Sequence, residues 1–241
     1  MNRLTALSVT AALISPFSVQ AVELTPDLNL AIGIGAVSDY RSLGVSQTQG
    51  DPAIQLDTVL SHSSGAFLGL WSSSFDFGKS YKAYREDGYY AGYAHSFKDD
   101  INVSASIGRY EYPNQASFDT NEIYVVANIY KFRVGYIYDF DVKDTPNLES
   151  TFIGYNFNLP LESNLYAKYG HTDYNFDLVS GSGDTRQTYN DWEVTITKTL
   201  FGVDWNLTFV DTDLSDAECA WISGADDICS ASIIVGAKRY F

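Results

Sequence analysis

Period-two segments joined alternately by short and long connections are the feature that most restricts this chain. Twelve stretches alternate in side-chain character: roughly 28–37, 53–60, 66–75, 89–97, 100–111, 121–130, 131–140, 150–159, 163–172, 188–198, 201–210 and 231–241. Most have the length of a tilted membrane-crossing strand, about 9–11 residues. After every even-numbered stretch but the last the connection is short: 61–65, 98–99, the 130/131 junction, 160–162 and 199–200. After every odd-numbered stretch it is long: 38–52, 76–88, 112–120, 141–149, 173–187 and 211–230. Transmembrane barrels have this asymmetry, with tight periplasmic turns and longer extracellular loops. A soluble sandwich has no reason to gather every long loop at one end. The expected fold is therefore all-β: a transmembrane, antiparallel, up-and-down β-barrel of about 12 strands.

The faces agree. Ile101, Val103, Ala105 and Ile107 alternate with Asn102, Ser104, Ser106 and Gly108; Phe201, Val203, Trp205, Leu207 and Phe209 alternate with Gly202, Asp204, Asn206 and Thr208. The apolar set is expected to face lipid and the small or polar set the lumen. A soluble barrel would reverse the two. The aromatic content, 18 Tyr, 14 Phe and 4 Trp, much of it near strand ends, favours a lipid-facing surface with interfacial girdles. In 66–75 one face, Phe67, Gly69, Trp71, Ser73 and Phe75, is largely apolar and aromatic. In 150–159, Ile153, Tyr155 and Phe157 are placed outward and Phe152 inward; a slip of one residue would exchange them.

Residues 1–21 read as a cleaved secretory signal: Arg3, an apolar stretch over 4–14, and the small-residue site Val19-Gln20-Ala21. The barrel domain then covers 22–241. It ends in an aromatic strand closing on Phe241, with Arg239 where outer-membrane barrels usually carry an apolar side chain. The expected location is the outer membrane of a Gram-negative bacterium. A net charge of −15 argues against nucleic acid as a partner. Cys219 and Cys229, close together in an exported chain, are expected to form a disulfide.

Catalytic chemistry finds little support. His62, His95 and His171 lie on separate segments, and no nucleophile-elbow, zincin or phosphate-loop pattern occurs. The acidic stretch 211–230 begins like a calcium loop at Asp211-Thr212-Asp213. It lacks the glycine at the sixth position, and Ile222 stands at the twelfth. No cofactor and no metal site are expected.

The stretch Ser38-Asp39-Tyr40-Arg41, Gly44-Val45-Ser46-Gln47-Thr48 and Gly50-Asp51-Pro52-Ala53, continuing through Ser64-Gly65 and Gly69-Leu70-Trp71-Ser72-Ser73, resembles the signature of the TorF-type porins, a proteobacterial outer-membrane family. The resemblance is motif-specific over about 38–75 and architectural over the rest. It implies an outer-membrane location and a channel, and no particular substrate.

Two sets of site residues follow. Asp57, Lys131, Arg133, Lys168, Glu193 and Asp204 are pore-lining candidates, with Lys238 also inward. Glu122, Asp191 and Glu193 fall toward the outer mouth, Lys131 and Arg133 toward the periplasmic floor. Such a pore would favour small cations or zwitterions over anions. Asp39, Arg41 and Asp51 are constriction candidates if the 38–52 loop folds into the barrel; otherwise its polar residues satisfy one another and pin the flanking strands. Twelve strands leave an open and a filled lumen equally supported, since eight are filled and sixteen carry a channel. The expected function is passive diffusion of small solutes, with outer-membrane lipids and lipopolysaccharide as partners. A non-conducting barrel acting through its acidic outer loops is the alternative.

Overall fold

The structure is a computed structural model describing residues 21–78, 81–98 and 100–241. The leader expected over 1–21 lies outside the described residues except for Ala21. Along the chain run β1 (Val22–Thr25), β2 (Leu28–Val37), β3 (Arg41–Ser42), β4 (Val45–Ser46), β5 (Ala53–His62), β6 (Ala66–Ser74), β7 (Arg85–Lys98) and β8 (Ile101–Glu111). They are followed by β9 (Thr120–Ile129), β10 (Phe132–Phe140), β11 (Leu148–Leu159), β12 (Ser163–Val179), β13 (Thr185–Leu200), β14 (Val203–Thr212), α1 (Asp216–Ser223) and β15 (Ser232–Tyr240).

β2 and β5 through β15 form a closed antiparallel barrel of twelve strands, each paired to its sequence neighbours. The last strand closes the ring on the first: β15 pairs with β2 from Gly236↔Val37 to Tyr240↔Gly33. β2 pairs on its other side with β5, from Leu28↔His62 to Val37↔Ala53. Closure leaves the twelve-stranded sheet no free edge, the condition for a sheet in lipid, where unpaired backbone groups find no water. β1 prolongs the β15 side of β2 beyond the last barrel pair. β3 and β4 form a separate small ribbon inside the loop that follows β2.

All five short connections lie at one end of the barrel and all six long ones at the other. The 201–202 turn shows why some are so tight. Phe201 and Gly202 both have positive φ, 56° and 72°, the pairing a two-residue hairpin turn needs to match strand twist. Phe201, expected as the first outward residue of its strand, is instead a fully exposed turn residue. Similarly, much of the loop expected over 173–187 is strand. β12 and β13 continue past a bulge, because Tyr174, Leu178 and Tyr189 extend the packed interior at the long-loop end.

Alternation places Ile54, Leu68, Leu70, Ile107, Ile153, Phe157, Trp205, Leu207 and Phe209 on the outside, all exposed. Phe152 turns inward, as expected for 150–159. The aromatic face of β6 runs against the simple rule: Phe67 and Trp71 point into the barrel, and Leu68 and Leu70 take the outer surface. Period two separates two faces without saying which is inside.

The outer belt should behave as a lipid surface. Leu70→Arg, at a position 55% exposed in mid-strand, is expected to cost about 2–4 kcal/mol, read from urea unfolding of the barrel in lipid vesicles. A change under about 0.5 kcal/mol, the usual cost on a water-facing surface, would mean that this face is not in lipid.

Candidate functional site

Inside the barrel, two layers follow different chemistry. The layer at the long-loop end is filled. Tyr40, Trp71, Phe75, Phe77, Tyr90, Tyr110, Tyr112 and Phe118 form one buried cluster. Ring centroids are 4.6 Å apart for Phe75–Phe77 and for Phe75–Tyr112. Leu43 and Val45, from the loop after β2, join a second cluster with Tyr124, Ile137, Tyr174, Leu178, Tyr189 and Ile222. That loop therefore reaches across the barrel interior.

Several of its polar groups bond within the plug. Arg41 Nε donates to Asp39 at 2.6 Å, and Arg41 Nη1 donates to the carbonyls of Gly44 at 3.0 Å and Ser230 at 2.7 Å. Asp39 accepts from the Ser46 hydroxyl at 2.5 Å. Tyr189 donates to the Leu43 carbonyl at 2.9 Å. Gly44 has φ 85°, and a methyl group there would strike Thr212 and Asp191, so only glycine allows this close approach. The loop folds into the barrel, and Asp39, Arg41, Ser46 and Thr48 bond within the plug, while the Ser42 hydroxyl and Gln47 Oε1 have no hydrogen-bond partner among the described residues. Asp51 does not take part as a constriction residue. Its side chain is exposed beside Pro52, and only its backbone engages Thr48.

The last long connection locks this plug. α1 is capped at Ser215, whose hydroxyl accepts from the Glu218 backbone while Glu218 accepts from the Ser215 backbone. The Cys219–Cys229 disulfide is present and buried, with Cα atoms 5.9 Å apart. Thr212 donates to the Cys229 carbonyl, and the Ser46 amide to the Ile228 carbonyl, each at 2.9 Å. The capping signature Ser215-x-x-Glu218 was readable in the sequence and is the signal that reveals this helix. Arg186 donates to both Glu218 oxygens, at 2.7 and 3.0 Å, and its Nη1 lies 3.2 Å from Asp213.

Beneath the plug lies a cavity of about 390 Å³. Of the pore-lining candidates, Arg133, Lys168, Glu193 and Asp204 line it, with Asp191 and Lys238. Lys168 Nζ is 2.7 Å from Asp191 and 3.8 Å from Glu193. Asp57 sits at the wall as the partner of Lys238, at 2.7 Å, and Lys238 also lies 4.8 Å over the Tyr240 ring. Arg133 is buried and donates to the Tyr124 hydroxyl at 3.2 Å. Lys131 is a correction: it stands exposed in the 130–131 turn, because β10 begins one residue later than its alternation suggested. Glu122 and Asp191, expected at an acidic entrance, are buried under the loops. Glu122 accepts from Tyr110 at 3.3 Å, and the neighbouring Glu86 accepts from Tyr112 at 2.9 Å and Tyr40 at 3.2 Å. Among the described residues no group of three or more His, Cys, Asp or Glu is arranged to hold a metal ion.

A closed twelve-stranded barrel with an apolar outside, a loop plug and a charged cavity is the architecture of a porin-like outer-membrane protein. Similar folds occur in the KdgM porin in complex with disordered oligogalacturonate (TM-score 0.51, 11% identity, 88% of this chain and 99% of that one) and in the NanC porin (TM-score 0.54, 11% identity, 87% and 98%). At such identity the likeness is one of fold. No curated protein sequence matches the chain. Residues 22–241 match Gcw_chp, a family of bacterial proteins of unknown function, and the chain belongs to that family.

Two outcomes test the site. Lys168 is the cation paired with fully buried Asp191, its Nζ 2.7 Å from the carboxylate. Lys168→Met is expected to cost about 3–5 kcal/mol, with Lys168→Met/Asp191→Leu recovering most of it; equal losses in the single and double variants would refute the pairing. In the lid, burial pushes the Glu218 pKa up, but hydrogen bonds from Arg186 and Ser215 outweigh it and hold it below the ordinary carboxylate value. The pair's stabilisation is thus complete above about pH 4.3 and is lost as pH falls through the lowered value. The emission of Trp221, on α1, should report loosening in that acidic window, and Glu218→Gln should abolish the transition.

Proposed function

We propose that the mature chain is an outer-membrane channel for passive diffusion of small solutes. The observation that carries this reading is a charged, polar cavity enclosed by a closed barrel with an apolar exterior. The leader over 1–21 would direct export, with cleavage near Ala21. The resemblance of the 38–75 stretch to TorF-type porins supports the same placement. Lipid and lipopolysaccharide would surround the belt and the long-loop rim. The long loops then face outward and form the plug, while the cavity faces the periplasmic side.

Selectivity follows from how the charges are spent. At the cavity and its wall the acids Asp57, Asp191, Glu193 and Asp204 outnumber Arg133, Lys168 and Lys238. Lys168 and Lys238 already have carboxylate partners at 2.7 Å. Cations should pass more readily than anions, since rings of like charge repel their own sign.

Single-channel recording of the refolded protein in a planar bilayer under a salt gradient tests this. The expected result is small, cation-biased conductance, with Glu193→Gln reducing the bias and Arg41→Ala, which unties the plug from Ser230, raising the conductance. Folded, inserted protein that passes no current in any of these forms would remove the channel reading.

A further inference from the structure

We propose that the cavity beneath the plug is a binding site for an uncharged, hydroxyl-rich solute, a short neutral saccharide. This rests on the channel reading for how the solute arrives, but the site's chemistry stands on the cavity itself.

Charge is the first observation. Lys168 and Lys238 sit 2.7 Å from Asp191 and Asp57, and Arg41 sits 2.6 Å from Asp39. An anion competing for Lys168, Lys238 or Arg41 would have to break one of these pairs in a partly desolvated site, which is costly. An uncharged solute leaves all three intact.

The walls are the second. The Phe152 ring lies over Gly135, the Tyr166 ring over Gly154 and the Tyr240 ring over Gly33, each so close that a methyl group on the glycine would collide with it. A side chain in place of any of these glycines would push the ring off the wall. With glycine beneath, the rings lie along the wall beside the cavity they line. Such surfaces suit the C–H faces of a sugar ring, which gain dispersion contact there without losing hydroxyl hydration.

The polar edges are the third. Asn164, Asn206, Thr197 and Thr208 line the same cavity. The Tyr166 hydroxyl is buried there with no hydrogen-bond partner among the described residues. A buried hydroxyl left unpaired is unfavourable, and a sugar hydroxyl beside it would supply the missing bond. Neither an apolar solute nor an anion satisfies both the rings and these groups. The cavity, about 390 Å³, falls within the usual range for small-ligand sites, about 300–1,000 Å³.

The test compares maltose with digalacturonate, similar in size and differing in charge, on the refolded full barrel. Saturable binding is read by titration calorimetry in micelles, and current block in planar bilayers. Maltose should bind saturably, and digalacturonate at least tenfold more weakly. Phe152→Ala should weaken maltose binding tenfold or more. Tyr166→Phe, which keeps the ring and the fold, should weaken it severalfold, while Tyr84→Ala, on an exposed loop position, should not change it. Equal or tighter binding of digalacturonate, no saturable maltose binding by folded barrel, or an unchanged Tyr166→Phe would each overturn the inference. A barrel that conducts but neither binds nor is blocked by maltose fails here and leaves the channel standing. Saturable maltose binding without conductance supports the site and removes the channel.

Discussion

Closure of the sheet is the constraint on which everything else depends. The pairing of Ser232–Tyr240 with Leu28–Val37 joins the two edges that the twelve-stranded sheet would otherwise expose. In lipid an exposed edge is not tolerable, because each unpaired amide or carbonyl costs several kcal/mol. Once the ring closes, side chains have only two destinations, and alternation divides them. The strands then become rigid staves: none can shift without breaking two ladders at once.

Twelve strands enclose more space than inward side chains of ordinary size can fill, and the chain fills it in two ways. At the long-loop end it imports material. The loop after the first barrel strand delivers Leu43 and Val45, and the last connection delivers a helix and a buried disulfide. Nearer the short turns it leaves a cavity and balances charges across it. Glycines opposite aromatic side chains, Gly69 beneath Tyr90 and Gly88 beneath Tyr110 as well as those at the cavity, let rings lie against the wall. The same device packs the plug and shapes the cavity.

How much of this could be read in advance depends on whether the information was local. Strand number, the sides of the loops and the inward turn of Phe152 were legible, because period two and connection length are properties of short stretches. The first strand, Leu28–Val37, has the bounds its alternation suggests. The direction of the aromatic face around Trp71 was not legible, since a lipid belt and a packed plug call for the same side chains. Lys131 was misplaced by a boundary of one residue, which in a strand decides both face and membership. Asp51 looked equivalent to Asp39, yet only the Asp39 side chain is turned inward, onto Arg41, Ser46 and Thr48. The partnership of Arg41 with Ser230 spans 189 positions, a long-range contact with no local trace.

These two layers also locate where change in the molecule can occur. Moving a strand means losing ladder hydrogen bonds that lipid cannot replace. Moving the plug means exchanging aromatic contacts and a few hydrogen bonds, those donated by Arg41 and Tyr189 and those accepted by Asp39, for contacts with water at the barrel mouth, where solvent can compensate. In the proposed channel, passage would therefore be governed by how the loops are seated rather than by the strands. Selection would be made lower down, in a cavity whose ion pairs are held by the rigid staves. Separating the two allows a plug to shift while Lys168, Asp191 and Glu193 keep their places, because those three residues belong to the β12–β13 ladder and not to the loops.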